Sequence, residues 1–276
     1  MLDLPDGGVH LWFAFPDEWK DPTLIDSACH LLGDEELTRM EKFHFPEHRR
    51  LYLVSHLLLR TTLSRYSHFL PESWRFVTND HGKPRLDTDA GSIPLCFSLS
   101  HTRGLSVVGV TREGEIGVDV EQARRSVDAA ELSRRFFSPE ENAALGKLPP
   151  GRLQAQFLFF WTLKEAYIKA LGRGLSHPLD SFSFRLMGER PYRIGFSAEE
   201  PQEPKKWRFA LIAPRPQSVA ALCVASAENK VIELRCTLTL PSGETEPLKG
   251  APLGLSAGVV YKRCSMPSVE EGSRNG

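Results

Sequence analysis

The sequence predicts an α+β protein of two similar α/β halves related by a pseudo-twofold. Each half is a small, mostly antiparallel sheet packed with helices, with the active site in the cleft between them. Three observations carry that prediction. Short β-rich runs at Leu95–Ser100, Leu105–Thr111 and Ile116–Val120 follow one another with turn signals between them, the pattern of a meander. Helical periodicity flanks them on both sides, over Glu47–Tyr66 and over 157–175. The form F-x-x-P-E occurs at Phe43–Glu47 and again at Phe136–Glu140, 93 positions apart, each time ahead of a helical region.

The elements follow in order. Val9–Phe15 (VHLWFAF) reads as a first strand, Asp34–Phe43 as a short polar helix and Ser73–Thr78 as a strand. Glu47–Tyr66 is a longer helix, with Leu51, Val54, Leu58 and Leu59 at helical spacing. His81–Leu86 (HGKPRL) is a turn, because glycine supplies unusual backbone angles and proline disfavours helix before it. A helix is expected near Val127–Phe137. Ser138 then caps another, with Pro139 at its first position and two glutamates in its first turn. The stretch 157–175 (FLFFWTLKEAYIKALGRGL) is a helix of good formers that stops at glycines. Phe182–Leu186, Trp207–Ile212, Val219–Ala225 and Val231–Leu240 read as later strands. The halves are drawn as 1–112 and 113–240. Residues 241–276, rich in Gly, Pro, Ser and charge, are expected to be a tail with little packing and partial disorder, in which only Val259–Tyr261 could dock locally.

Composition bounds the function. At 276 residues the chain holds one large or two small domains with a real core. A formal charge of −1 gives no global basic field for nucleic acid. Five scattered cysteines without a CxxC argue against a disulfide framework and against zinc, and fit a reducing cytoplasm. No signal peptide and no membrane span are expected.

Five constellations could carry chemistry. On the 157–175 helix, Phe157, Phe160, Trp161, Tyr167, Ile168 and Leu171 share a face at about 100° per residue. Glu165 and Lys169 stand four apart at its edge, as a phosphate-and-magnesium site requires and as any surface ion pair does. Lys164 points into the apolar stripe, and either snorkels or pairs with an acid. In Ile116–Glu121 (IGVDVE), Asp119 and Glu121 lie two apart on a strand and share a face. Two such carboxylates repel unless a cation intervenes, and magnesium suits them; a solvated strand end looks the same. Ser98, Ser100 and His101 in FSLSHT could bind phosphate or merely cap a turn. Gly82-Lys83-Pro84 could hold a nucleotide or be a plain turn. Arg39, Lys42, His44, His48, Arg49 and Arg50 form a basic run that could grip phosphate or be a solvated helix face. A serine hydrolase and a redox thiol find no support; Cys96 sits in an apolar strand.

Taken together and in this order, these segments resemble the 4'-phosphopantetheinyl transferases of the large, pseudo-dimeric, surfactin-synthetase-activating type. The paired signatures are IGVDVE (Val118, Asp119, Glu121) and Trp161-Thr-Leu-Lys164-Glu165-Ala-Tyr-Ile-Lys169, about forty residues on, with the GKP, SLSH and GLSHPLDSFSFRL segments around them. The resemblance covers roughly residues 10–225. It implies transfer of the 4'-phosphopantetheine arm of coenzyme A to a serine of an apo acyl or peptidyl carrier protein, with magnesium, releasing adenosine 3',5'-bisphosphate. It implies Asp119, Glu121 and Glu165 as magnesium ligands, Glu165 also as base, and Lys169 as the charge that neutralises the pyrophosphate. It places Ser100, His101, Asp119 and Lys169 at the phosphates, and Gly82, Lys83 and Pro84 at the adenosine end. Arg39 matches a basic family position, and Arg50, or Arg49 in its stead, a second. A cytoplasmic monomer with no nucleic-acid or membrane partner is expected. Two rivals are a magnesium nuclease and a catalytically dead module that captures coenzyme A or a carrier. The nuclease is disfavoured because Glu and Lys here stand four apart on a helix, and the dead module because no carboxylate or lysine is lost.

Overall fold

In a computed structural model the chain is described over residues 1–87, 94–112, 114–123, 127–198 and 204–262. The first half runs strand, three helices, hairpin, two strands. These are β1 (Gly8–Ala14), α1 (Pro22–Cys29), α2 (Asp34–Glu41), α3 (Pro46–Ser64), β2 (Phe76–Thr78), β3 (Pro84–Leu86), β4 (Cys96–Thr102) and β5 (Leu105–Thr111). The order then repeats as β6 (Ile116–Gln122), α4 (Ala129–Phe136), α5 (Pro139–Leu145), α6 (Pro150–Leu171), β7 (Phe182–Met187), β8 (Tyr192–Ala198), β9 (Trp207–Ala213) and β10 (Ser218–Ala225). Pairing repeats too: β5 lies antiparallel between β1 and β4, and β10 lies antiparallel between β6 and β9. The chain continues as β11 (Ile232–Thr239), β12 (Thr245–Pro247), β13 (Ala251–Ser256) and β14 (Val259–Lys262).

The layers follow from strand alternation. Val9, Leu11 and Phe13 of β1 face Ile116, Val118 and Val120 of β6 in a core between the two sheets, while Trp12 and Ala14 pack against Val54 and Leu58 of α3 on the outside. Helix α6 covers the outer face of the second sheet, with Phe157, Phe160, Leu163 and Tyr167 in its core. The result is helix, sheet, sheet, helix. Gly109 sits where the sheets touch, and a Cβ there would come within 2.8 Å of the Val118 side chain.

Several expectations are corrected. Strand β6 does not continue a meander from β4 and β5; it crosses to the second sheet and pairs with β10. The segment after 240 is not an unpacked tail as far as 262. There β12 and β14 pair with β11, and β13 lies between β9 and β8. Its turn residues mask short strands that only pairing with the existing sheets could order. Residues 263–276 lie outside the described residues. Strand β11, grouped by sequence with the second half, adds parallel to β1 of the first sheet. The long helix begins at Pro150 and ends at Leu171. The two F-x-x-P-E blocks open unlike helices, α3 of 19 residues and α5 of 7, so the repeat lies in the order of elements and not in that motif. Helix α1 and strand β8 were not anticipated. Among the described residues no helix is long and apolar enough to cross a membrane.

Candidate active site

Gly117 sets the site. A Cβ there would fall 2.0 Å from the carbonyl oxygen of Ala166 and 2.3 Å from the amide nitrogen of Ala170, so the backbones of β6 and α6 are in direct contact. Val118 and Val120 point into the core between the sheets, which turns Asp119 and Glu121 toward α6. One turn separates Glu165 from Lys169 on the facing side of that helix.

The groups meet in a closed triangle. Lys169 Nζ lies 2.7 Å from Asp119 Oδ1 and donates to Ser100 Oγ at 2.8 Å, and Ser100 donates to the same Asp119 oxygen at 3.0 Å. Ser98 accepts the Val118 amide at 3.1 Å, so the hydroxyls of Ser98 and Ser100 both bond to β6. Asp119 Oδ2 is buried and has no partner. Burial pushes the Glu165 carboxyl up to about 7, helped by Asp119 and by Glu121 and opposed by Lys169. Three carboxylates are thus close enough to repel, and an orphaned carboxylate oxygen lies among them. Hard oxygen donors in mutual repulsion fit a magnesium ion. Among the described residues no three acidic, histidine or cysteine side chains yet stand in an ion-enclosing arrangement, and the Lys169 ammonium holds one Asp119 oxygen.

The remaining predicted residues fall around this centre. His101 follows Ser100 with an edge open to solvent; the protein around it, then the charges of His56, Lys169 and Arg39, lower its proton affinity. Arg39 is exposed at the end of α2 and close enough to act on His101. Arg50 lies 3.8 Å from Asp17, which lines a polar cavity of about 590 Å³ with Arg103, Glu121 and Arg215. Arg49 donates its Nε–H to the Phe43 carbonyl at 2.7 Å. Lys42, His44 and His48 are solvated. Gly82, Lys83 and Pro84 line a second cavity, about 290 Å³, with Glu165 and Lys169 on its other wall. The Lys83 ammonium is already engaged by backbone. It donates to the carbonyls of Ile116 and Ala170 at 3.0 and 2.9 Å, and burial lowers its proton affinity.

Lys164 receives an account that the sequence did not supply. Its ammonium is wholly buried, 2.8 Å from Glu141 Oε2, and donates to the carbonyls of Leu179 and Phe182 at 2.6 and 2.7 Å. The Phe182 ring lies beneath it, 4.3 Å from the charge to the centroid. Glu141 in turn accepts from the Ser138 and Phe184 amides. Burial drives both members toward their neutral forms, and the pairing opposes that. Glu141 was visible only as a first-turn acid. The capping-box spacing from Ser138 marks it, but nothing local connects it to Lys164. Asn79 was also missed. Its Oδ1 accepts from the His81 and Lys83 amides in an Asx-type turn, and its Nδ2 donates to the Gly172 carbonyl at 2.8 Å.

The chain matches known proteins along both halves. Residues 115–224 match the family described as the 4'-phosphopantetheinyl transferase superfamily, and residues 16–112 match the description 4'-phosphopantetheinyl transferase, N-terminal. The 4'-phosphopantetheinyl transferase HetI of Nostoc sp. is 34% identical over 224 residues, 81% of this chain and 90% of the relative. The 4'-phosphopantetheinyl transferase psf-1 of Bacillus pumilus is 35% identical over 59% of this chain and 67% of its own length. For the 4'-phosphopantetheinyl transferase Sfp of Bacillus subtilis the figures are 32%, 56% and 66%. The chain belongs to the 4'-phosphopantetheinyl transferase superfamily and is an enzyme of that class.

Proposed function

We propose that the enzyme moves the 4'-phosphopantetheine arm of coenzyme A onto a serine of an apo acyl or peptidyl carrier protein, with magnesium, and releases adenosine 3',5'-bisphosphate. The observation that carries this reading is the triangle of Lys169, Ser100 and Asp119, with the orphaned Asp119 oxygen and Glu165 beside it. The halves are taken as 1–112 and 113–240, with β11 added to the first sheet and β13 to the second, and the active site where β4 and β6 meet α6. Asp119, Glu121 and Glu165 would hold the ion. Magnesium, when bound, would neutralise charge on the diphosphate and keep the carboxylates ionised.

The chain's own residues account for the rest. Glu165, near neutrality at about 7, is suited to take the proton of the carrier serine. The serine oxygen bonds to the phosphorus that carries the pantetheine arm as the bond from that phosphorus to the bridging oxygen breaks. Lys169 stabilises the negative charge that collects on the leaving bisphosphate. Ser100 and His101 face the nucleotide phosphates, and Arg39 and Arg50 add cationic groups at the rim. Gly82 and Pro84 wall the cavity beside Glu165 and Lys169, where we place the adenosine end. Each chain carries the whole set, which supports a monomer. The free state of Cys29, Cys96, Cys223 and Cys236 supports the cytoplasm.

The test is to incubate the protein with magnesium, coenzyme A and a panel of purified apo carrier proteins and to weigh the carriers. A gain of one phosphopantetheine arm is expected. No gain on any carrier refutes the proposal.

A further inference from the structure

The hairpin of β2 and β3 belongs to the first half, yet its turn is fastened to the last turn of α6 in the second. A helix leaves its last four carbonyls without intrahelical partners. Here Lys83 Nζ takes the Ala170 carbonyl at 2.9 Å and Asn79 Nδ2 takes the Gly172 carbonyl at 2.8 Å. The same ammonium takes the Ile116 carbonyl at 3.0 Å, so one lysine ties the hairpin, the start of β6 and the end of α6 together. A cation at a helix C-terminus is also favoured by the backbone dipoles. Gly172 ends the helix at φ 66°, and a Cβ there would meet Asn79 Nδ2 and Lys83 Cδ, each at 3.1 Å. The glycine is therefore needed twice, for its backbone angle and for the hairpin's approach.

Lys169 and Glu165 stand on the final turns of this helix, and Asp119 on the strand that Lys83 also grips. The docked turn forms one wall of the cavity that Glu165 and Lys169 also line.

We propose that Lys83 and Asn79 are positioning residues: they cap α6 from the opposite half and fix Glu165 and Lys169 against Asp119, and the Lys83 charge is not a coenzyme A contact. This rests on the transferase reading for its kinetic test and on geometry alone for its structural one.

Lys83→Met keeps the stem and removes the charge. The transfer rate is expected to fall about 10- to 100-fold, as for a catalytic group displaced by a fraction of an ångström to an ångström. The KM for coenzyme A should change little, and dephospho-coenzyme A, which lacks the 3'-phosphate, should lose rate by the same factor. Amide hydrogen exchange over 168–172 should quicken in the free protein. Asn79→Ala should act in the same direction, and the double variant should lose less than the product of the two single losses. If Lys83→Met does not fold, Asn79→Ala decides the matter by the same readouts. A raised KM with an unchanged rate constant overturns the proposal, and so does unchanged exchange over 168–172. If the wild type transfers nothing to any carrier, the transferase reading falls while the exchange measurement still judges the clamp.

Discussion

Helix α6 carries two lysine–carboxylate pairs five residues apart, Lys164 with Glu141 at 2.8 Å and Lys169 with Asp119 at 2.7 Å. Their lengths are nearly equal and their surroundings are opposite. In the first pair both side chains are fully buried, and backbone carbonyls and amides surround the two charges. In the second the lysine side chain keeps 32% of its surface exposed, and Asp119 keeps a buried oxygen with no partner. A buried polar network is tolerated when it is satisfied, so the Lys164 pair is architecture that fixes α6 against α5 and β7. A network left short of partners costs stability, and the shortage at Asp119 falls where the proposed ion would bind.

Four experiments would break or sharpen that contrast. The largest effect is expected for Glu165→Gln, which should reduce transfer by about 10³-fold or more while leaving the fold intact, since it would remove the proposed base and ion ligand together. Full activity with an unchanged circular dichroism spectrum would remove Glu165 from the mechanism. Lys164→Met should lower stability by about 3–5 kcal/mol, because a lone buried carboxylate remains. Chemical denaturation reads this, and adding Glu141→Leu should recover much of the loss; if the double variant is worse still, the network does more than neutralise itself.

Lys169→Ala should cost about 10²–10³ in turnover, as for loss of a group that stabilises transition-state charge. Its cost in stability should stay near 1 kcal/mol, because the ammonium is partly solvated. A larger loss of stability than of activity would reverse the assignment of the two pairs.

The smallest effect concerns pH. The folded-state value of Glu165, about 7, lies above the ordinary glutamate value of 4.5 that the unfolded chain takes, so the folded chain binds the extra proton between them. That stabilisation is complete below pH 4.5 and is lost as the pH rises through 7. In chelator, Glu165→Gln should therefore raise stability relative to wild type above pH 7, by at most about 3 kcal/mol and by less where water screens the carboxylate. Equal melting curves at pH 8 would show that neither burial nor the neighbouring acids raise the Glu165 carboxyl.

Much of the site was legible because its signals are local. The spacing of Asp119 and Glu121 follows from strand alternation, and that of Glu165 and Lys169 from the helical turn. The capping of α5 by Ser138 and the left-handed glycine ending α6 are equally local, and both stand as read. Lys164 shows the limit. Its position on the apolar stripe demanded a partner, but that partner comes from another helix whose approach is set by packing around Phe137 and Phe182. Lys83 shows a second limit. Within GKP it is a turn lysine free to meet a nucleotide, and only the docking of the hairpin on α6 reveals two carbonyls already claiming its charge. The strands after 240 show a third, since segments of three to six residues have too little pattern to declare themselves away from the sheet edges that order them.

By itself, then, the sequence determined most of the element types, the acid pair on β6 and the Glu165–Lys169 edge of α6, because each depends on residues within one turn or one strand; the class of chemistry followed from the order of these motifs along the chain and its resemblance to a known family. The tertiary structure decided which sheet β6 joins, that Gly117 lets strand and helix backbones touch, that Ser98 and Ser100 brace that contact, and which lysines are structural. Those outcomes depend on surfaces brought together from distant parts of the chain, and no local periodicity encodes which surface meets which.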